Sequence, residues 1–302
     1  MNVQTFYSNG KLLLTAEYAI LDGAKGLAVP TKFGQSLKVS KLDSKVLRWT
    51  SLDEKDNIWF TAEYYLPTLN LRNTTNDKKA KKLIQLLEAA LKLNPEFLED
   101  SPGFEVETKL GFSPKWGLGS SSTLINNMAQ WANVNAHQLL WNSFGGSGYD
   151  ISCAQHDTPI LYQLDLGHPI VEQIDFNPPF RDKLFFVHLN KKQDSGKAIE
   201  NYREQHFNKN DLITTVNSMT DRMLAANTIE VFESLLIEHE LVLSKVLGIK
   251  PIKERFTDYF GAIKSLGAWG GDFILATGNE KTPDYFKAKG FDTVLTYKEM
   301  VL

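Results

Sequence analysis

The sequence predicts an α+β fold, and three observations carry that prediction. Strand-like runs mark the first half, helical periodicity dominates much of the second, and the two kinds of segment do not alternate strictly along the chain. Near the start, LLLTAEYAIL followed by GLAVP suggests two strands, or a strand and a short helix. FEVETKL at 104–110 alternates apolar and polar residues as a half-buried strand does. Between them, Ala80, Leu83, Ile84, Leu87, Ala90 and Leu91 recur at helical spacing behind the charged start DKKAKK, which predicts a surface helix. A second helix is expected after GLGSSS, because Leu124, Ile125, Met128, Ala129 and Ala132 share one side of a helical wheel and serines cap well.

The second half opens with the short apolar runs ILYQLDL and KLFFVHL. Asn227 with Glu230 then reads as a capping box before Phe232, Leu235, Leu236 and Leu243. A further helix is expected over roughly 252–266. DFILAT at 272–277 reads as a buried strand behind the turn GAWGG, followed by a polar connection and a terminal strand, DTVLTY. At 302 residues and 42% hydrophobic the chain can bury a large core. Two lobes are expected, 1–165 and 166–302.

Charge and cysteine usage narrow the function classes. With 33 basic and 36 acidic residues, a formal charge of -3 gives no field favouring nucleic acid or an anionic membrane. A small-molecule ligand is the simpler expectation. A single cysteine, Cys153, makes neither an internal disulfide nor a cysteine-cluster zinc site, which fits a reducing cytosol. The early apolar stretch Leu12 to Leu21 is broken by Glu17, so neither an export signal nor a membrane span is expected there.

The most informative segment is PKWGLGSSST at 114–123. Gly117 and Gly119 permit close backbone approach, and a helix starting at Ser120 aims unpaired N–H groups at the turn. Such a turn suits a polyphosphate, and a serine hydroxyl there can ligate the accompanying Mg²⁺. A plain glycine turn with a serine N-cap fits the same residues. The Walker signature is absent, since Thr5 and Leu12 stand where glycine and a hydroxyl residue are required around Lys11. The dinucleotide pattern fails at Ser122.

PKWGLGSSST resembles the PxxxGLGSSAA phosphate-binding motif of the GHMP kinases, departing at Ser122 and Thr123 where alanines are usual. SNGKLLLTAEYAIL at 8–21 resembles that family's first motif, with Asn9 for a proline and Ala16 for a glycine. LGAWGGDFILA at 266–276 resembles its third motif, GAGGGDCxxAL, with Trp269 for a glycine. The three motifs stand in family order and span most of the chain.

The resemblance implies an N-terminal lobe like domain 2 of ribosomal protein S5 and a ferredoxin-like C-terminal lobe, with ATP in the cleft. It places ATP phosphates on Gly117, Leu118, Gly119, Ser120, Ser121 and Ser122, and Mg²⁺ on Ser121. Gly267, Ala268, Gly270 and Gly271 would shape the opposite wall of the cleft, where the bulk of Trp269 threatens to cover the phosphates. GGSGYDISCA at 145–154 resembles the segment that carries the catalytic aspartate in mevalonate and phosphomevalonate kinases, which makes Asp150 the candidate base. A helix-capping aspartate is its alternative reading. Lys11 matches the lysine beside the transferred phosphate, while Glu17 fits a structural or a substrate-side role equally.

No Asp or Glu lies between Glu107 and Asp150, where many members hold a metal-binding glutamate. The histidines, His137, His156 and His188 among them, show no metal-ligand spacing. KKQDSGKAIENY at 191–202 sets cations, an amide and a hydroxyl at a helix start, suited to an anionic substrate group or to plain solvation. The implied protein is a cytoplasmic kinase, monomeric or homodimeric, that moves the γ-phosphoryl group of ATP to phosphomevalonate or mevalonate. A diphosphomevalonate decarboxylase-like enzyme and a non-catalytic nucleotide- or sugar-binding protein of the same fold are the alternatives.

Overall fold

In chain order the elements are β1 (Gln4–Leu13), β2 (Gly26–Leu42), β3 (Val46–Leu52), β4 (Ile58–Tyr65), β5 (Asn70–Thr74), α1 (Asp77–Leu93) and β6 (Gly103–Leu110). Three helices follow, α2 (Ser120–Ala132), α3 (Ala136–Ser143) and α4 (Tyr149–Ala154), then β7 (Ile160–Asp165), β8 (His168–Gln173) and β9 (Leu184–His188). Next come α5 (Ser195–Arg203), α6 (Lys209–Leu224), α7 (Ile229–Leu247), β10 (Ile263–Ser265), β11 (Phe273–Thr277), α8 (Thr282–Ala288), β12 (Val294–Thr296) and α9 (Tyr297–Met300). These come from a computed structural model that describes residues 3–193 and 195–302.

The chain forms two compact units. The first takes the described residues up to Gly10 together with Phe33–Pro114 and Gly119–Gln155. The second takes Lys11–Lys32, Lys115–Leu118 and His156–Leu302. The sequence reading cuts the chain once, at residue 165, whereas compactness passes it back and forth and last crosses at Gln155–His156. Pairing is the physical reason. Gly26–Ala28, early in β2, pair antiparallel with Tyr162–Ile160 of β7, while Gln35–Leu42, late in β2, pair with Leu110–Gly103 of β6.

In the first unit the strands run in the order β5-β4-β3-β6-β2, with β3 and β6 parallel and the other neighbours antiparallel. Alternation puts Val39, Trp49, Phe60, Phe104 and Val106 into one core. Helices α1, α2 and α3 cover that core with Leu83, Leu87, Ile125, Met128 and Leu139. The expected spacing in α1 is borne out, with Asn76 as its N-cap accepting from the Lys79 amide. Helix α2 forms as expected but its cap is Gly119, not a serine, and no side chain caps it.

The second unit holds the antiparallel sheet β10-β11-β9-β12. Every residue of β9 and β11 is buried, as the unbroken apolar runs predict. Helix α7 begins one residue later than read, because Thr228 is the cap and accepts from the Val231 amide. The helix expected over 252–266 does not form. A single turn at Ile252–Arg255 leads to an irregular segment and then to edge strand β10. Phe256 and Tyr259, spaced for a helix, instead pack on Phe286 with Phe291 beside them, and Gly261 lies so close to Thr277 that a Cβ would sit 2.0 Å from its carbonyl oxygen. Tertiary contacts override the local period.

Beneath these elements the second unit buries a polar cluster. Glu17, His239, Glu240 and Lys264 are each 2% exposed or less. The Lys264 ammonium donates to Glu17 and to the Ser265 carbonyl, while Glu240 accepts from the Ser265 amide, the Ser265 hydroxyl and the Ile252 amide. His239 Nε2 accepts from the Ala16 amide at 3.0 Å, which fixes the neutral tautomer with its proton on Nδ1. Burial, with the nearby Lys264 charge, holds its pKa well below the ordinary 6.5. Burial pushes the Glu17 carboxyl up, and Lys264 pulls it back.

The unfolded chain therefore takes up a proton on His239 that the folded chain refuses, so this contribution to stability is complete above pH 6.5 and is lost as pH falls below it. Glu17, with its raised value, works in the opposite sense, because protonation relieves its burial. Urea titrations should show stability falling by up to about 1.4 kcal/mol per pH unit below about 6.5 from this one group. His239→Gln keeps an acceptor for Ala16 but cannot titrate, and it should flatten that acid limb. An unchanged limb would place the acid sensitivity elsewhere.

Candidate active site

Within the glycine turn at 114–119, Lys115–Leu118 belong to the second unit. The Lys11 amide, in β1, donates to the Leu118 carbonyl at 3.0 Å, and the Lys11 ammonium donates to the Gly117 carbonyl at 3.1 Å. His188 Nε2 bonds the Lys115 carbonyl at 3.1 Å, and the Trp116 ring packs edge-on against Phe273. Leu118 is fully buried. Gly117 has φ +69° and faces Asp272, whose carboxyl carbon would lie 2.5 Å from any Cβ at that position. The turn is thus held on several sides, and only glycine fits at 117.

Asp272 itself closes the loop between β10 and β11, the segment expected to form a cleft wall. Its amide donates to the Lys191 carbonyl and its carbonyl accepts from the Leu189 amide, while Oδ1 accepts from the Gln193 amide at 3.3 Å. Burial raises its pKa, and the charges of Lys11, His188 and Lys192 oppose that rise. Within the same loop Gly267 has open space around it, whereas Gly270 and Gly271 are pressed on Gln193 and on the Lys191 backbone. Ala268 and Trp269 turn toward a pocket of about 410 Å³ that is also lined by Tyr18, Lys191, Gln193, Lys197, Asn201 and Tyr202. Trp269 is 2% exposed with φ 51°, so its bulk is absorbed into the second unit.

The first unit supplies Gly119 onward. Gly119 takes φ 90° and caps α2 without a side-chain acceptor, which leaves the first helical amides without side-chain partners. Three consecutive hydroxyls then separate by direction. Ser122 is buried and donates back to the Gly119 carbonyl at 2.8 Å, and Thr123 donates to Gln35 Oε1 at 2.6 Å. Ser121 is exposed and has no hydrogen-bond partner among the described residues. The hydroxyls at 122 and 123, where the resembled motif carries alanines, are therefore consumed internally.

Asp150 stands in the first turn of α4, after the turns Gly145, Gly146 and Gly148, all at positive φ. Gly148 is the N-cap, and the contact of Asp150 is a 3.2 Å bond from the next amide. Its charge reaches His137, whose pKa burial lowers while the Gly148 carbonyl and Asp150 push it back up. His137 Nε2 pairs with the Ser152 hydroxyl at 2.9 Å. Glu17 proves to be part of the buried polar cluster, with Lys264 as its partner. Sequence reasoning passed over Asp272, His239 and Lys264. The two signals present were an acid closing the glycine loop and a His-Glu pair on the apolar face of α7.

Among the described residues no group of three or more His, Cys, Asp or Glu could hold a metal ion by itself, and no helix is long and apolar enough to cross a membrane. No protein-family model and no curated protein matches the sequence. Solved structures do match the fold. The Methanococcus jannaschii mevalonate kinase superposes with TM-score 0.72 at 15% identity, covering 97% of each chain. The Streptococcus pneumoniae phosphomevalonate kinase, solved with phosphomevalonate and AMPPNP, gives 0.70 at 15% identity over 97% of this chain and 99% of its own. The Lactococcus lactis galactokinase bound to galactose gives 0.73 at 15% identity over 100% and 94%. The chain has the α+β fold of these kinases.

Geometry at the turn makes a stability prediction. Gly117→Ala must both enter the left-handed region and displace Asp272, so it should lose about 2–4 kcal/mol in urea denaturation. Gly267→Ala meets the backbone cost alone and should lose only about 1–2 kcal/mol. Equal losses would mean that Asp272 does not pack on the turn.

Proposed function

We propose that this chain, with its GHMP kinase fold, is an ATP-dependent phosphotransferase that acts on a small anionic metabolite of the mevalonate type, phosphomevalonate or mevalonate. The observation that carries the proposal is the turn at 117–121. In the second unit the Lys11 ammonium donates to the Gly117 carbonyl, and in the first unit Gly119 caps α2 without a side-chain acceptor, the kind of helix N-terminus that suits phosphate. The acceptor class rests on the pocket beside Trp269, where Lys191, Lys197, Gln193 and Asn201 suit a carboxylate or phosphate.

In this reading the amides from Gly119 to Ser122 hold the nucleotide phosphates and Lys11 stabilises charge on the transferred group. The exposed Ser121 hydroxyl is a hard oxygen donor that fits Mg²⁺, an ion that keeps its waters and needs few protein ligands. When bound with the nucleotide, Mg²⁺ offsets the phosphate charge. Asp150 orients the acceptor hydroxyl and takes its proton as the phosphoryl group leaves. Gly148 takes the N-cap position without a side-chain acceptor, and Asp150 accepts from the next amide at 3.2 Å.

The test is ATP consumption by the purified protein with mevalonate, its mono- and diphosphates, hexoses and homoserine, with CO₂ release followed in parallel. Turnover on a mevalonate-series acceptor without CO₂ supports the proposal; CO₂ release points to a decarboxylase, and inertness with every acceptor to a non-catalytic binder. On the true acceptor, Asp150→Asn should lower kcat by roughly 10²-fold or more with little change in ATP affinity. A loss under about tenfold counts against the assignment, since positioning alone would explain it. Lys11→Met should also lower kcat. Ser121→Ala should raise the Mg²⁺ requirement more than Ser122→Ala does, because the Ser122 hydroxyl is already spent on Gly119; the reverse order would shift the loop register by one residue.

A further inference from the structure

We propose that His137 is a positioning residue for Asp150, bridging the helix cap before it to the buried hydroxyl after it. The proposal rests on the reading of Asp150 as the catalytic base and adds the group that aims it. All the residues concerned lie within the first unit, in Gly119–Gln155. His137 stands on α3, which Leu139 and Leu140 fix in the core. Asp150 stands on α4, behind an approach that is hard to hold. Gly145 and Gly146 are exposed, take positive φ and have open space where a Cβ would lie. Glycine loses more backbone freedom on ordering than any other residue, so such a turn needs outside support. Helix α4 is six residues long and starts without a side-chain cap, so it offers little support of its own.

Helix α3 supplies what they lack. Trp141 Nε1 donates to the Gly146 carbonyl at 3.2 Å and braces the turn. The His137 ring bonds the Gly148 carbonyl, two residues before Asp150, and its Nε2 lies 2.9 Å from the Ser152 hydroxyl, two residues after it. A carbonyl only accepts, so it claims the one proton of the neutral ring, and Nε2 accepts from Ser152. Burial lowers the pKa of the ring and favours that neutral form, against the opposing pull of Gly148 and Asp150. Ser152 is fully buried and His137 is 9% exposed, so water is a poor substitute for either partner. One imidazole thereby spans the turn of α4 that carries the carboxylate. A base that must meet a hydroxyl at the moment of phosphoryl transfer loses rate steeply with small displacements.

The test is a double-mutant cycle on kcat in the whole protein, with ATP and the acceptor that turns over. His137→Ala should lower kcat by about tenfold or more, the scale of a misplaced catalytic group, with acceptor KM and AMPPNP affinity within about twofold of the wild type. In the Asp150→Asn background the same substitution should cost less than about threefold, because no base is left to aim. His137→Gln keeps an acceptor for Ser152 and should hold kcat within about threefold of the wild type. A kcat unchanged by His137→Ala, while Asp150→Asn keeps its loss, overturns the proposal and leaves the base reading intact. Equal losses in both backgrounds overturn it too, as do a glutamine as costly as alanine and a KM that rises in step, since each marks a general disturbance of the fold. If Asp150→Asn costs under about tenfold, or no acceptor turns over, the base reading falls and this proposal with it. If His137→Ala does not fold, Ser152→Ala removes the same bond from α4, and the same cycle decides.

Discussion

The hydrogen bond from the Lys11 amide to the Leu118 carbonyl joins the first motif of the chain to the second, and the geometry of the glycine turn depends on it. Once Lys11 is aligned by that bond, its ammonium reaches Gly117 from its own strand. The turn is then closed on the other side by Asp272, which is possible only because residue 117 lacks a Cβ. Three motifs far apart in sequence thus meet at one dipeptide, Gly117-Leu118, through two hydrogen bonds and one steric contact. A side chain at 117 would separate the third motif from the second even with every other residue unchanged.

The buried cluster around Glu17 gives the first motif its second anchor. Lys264 lies in β10, immediately before the glycine loop that ends in Asp272, and its ammonium is fully buried against Glu17. A pair of this kind adds little net stability over an apolar substitute, but removing one partner strands the other charge at a cost of about 3–5 kcal/mol. The cluster therefore acts mainly as a registration device, since a shift of β10 by one residue would reverse the direction of Lys264 and unpair Glu17. The position of the glycine loop relative to Lys11 follows from that register. Glu17 thus has a structural partner in Lys264, which accounts for a buried acid in the first motif.

Much of the fold was legible because local pattern and tertiary burial agree in α1, β6, α2 and β11. The segment 252–266 fails for the opposite reason. Its apolar spacing satisfies a helix, but its partners Phe286 and Phe291 lie later in the chain, and Gly261 is needed where a backbone passes close to Thr277. No local window contains that information. The glycine turn opening α2 was legible in sequence, whereas Asp272 was read as the start of a strand. What distinguishes it is contact with Gly117 and exclusion from water, and neither follows from its neighbours in sequence.

The departures from the resembled motifs have separate physical explanations. Ser122 and Thr123 replace alanines on the inner face of α2, where their hydroxyls are satisfied by Gly119 and Gln35 and so cost little to bury. Trp269 replaces a glycine but keeps a glycine-like φ, and its indole packs into the wall of the pocket that holds Lys191 and Lys197. That indole narrows and rigidifies one side of the pocket, and the stacked pair Tyr18 and Tyr202 forms another. Lys191 and Lys197 line the cavity together with Glu204, so under the proposed reading its aromatic walls and cations would favour a compact anion over a neutral sugar. Trp269 is thus accommodated as part of that pocket wall, while Gly117 keeps its contact with Asp272.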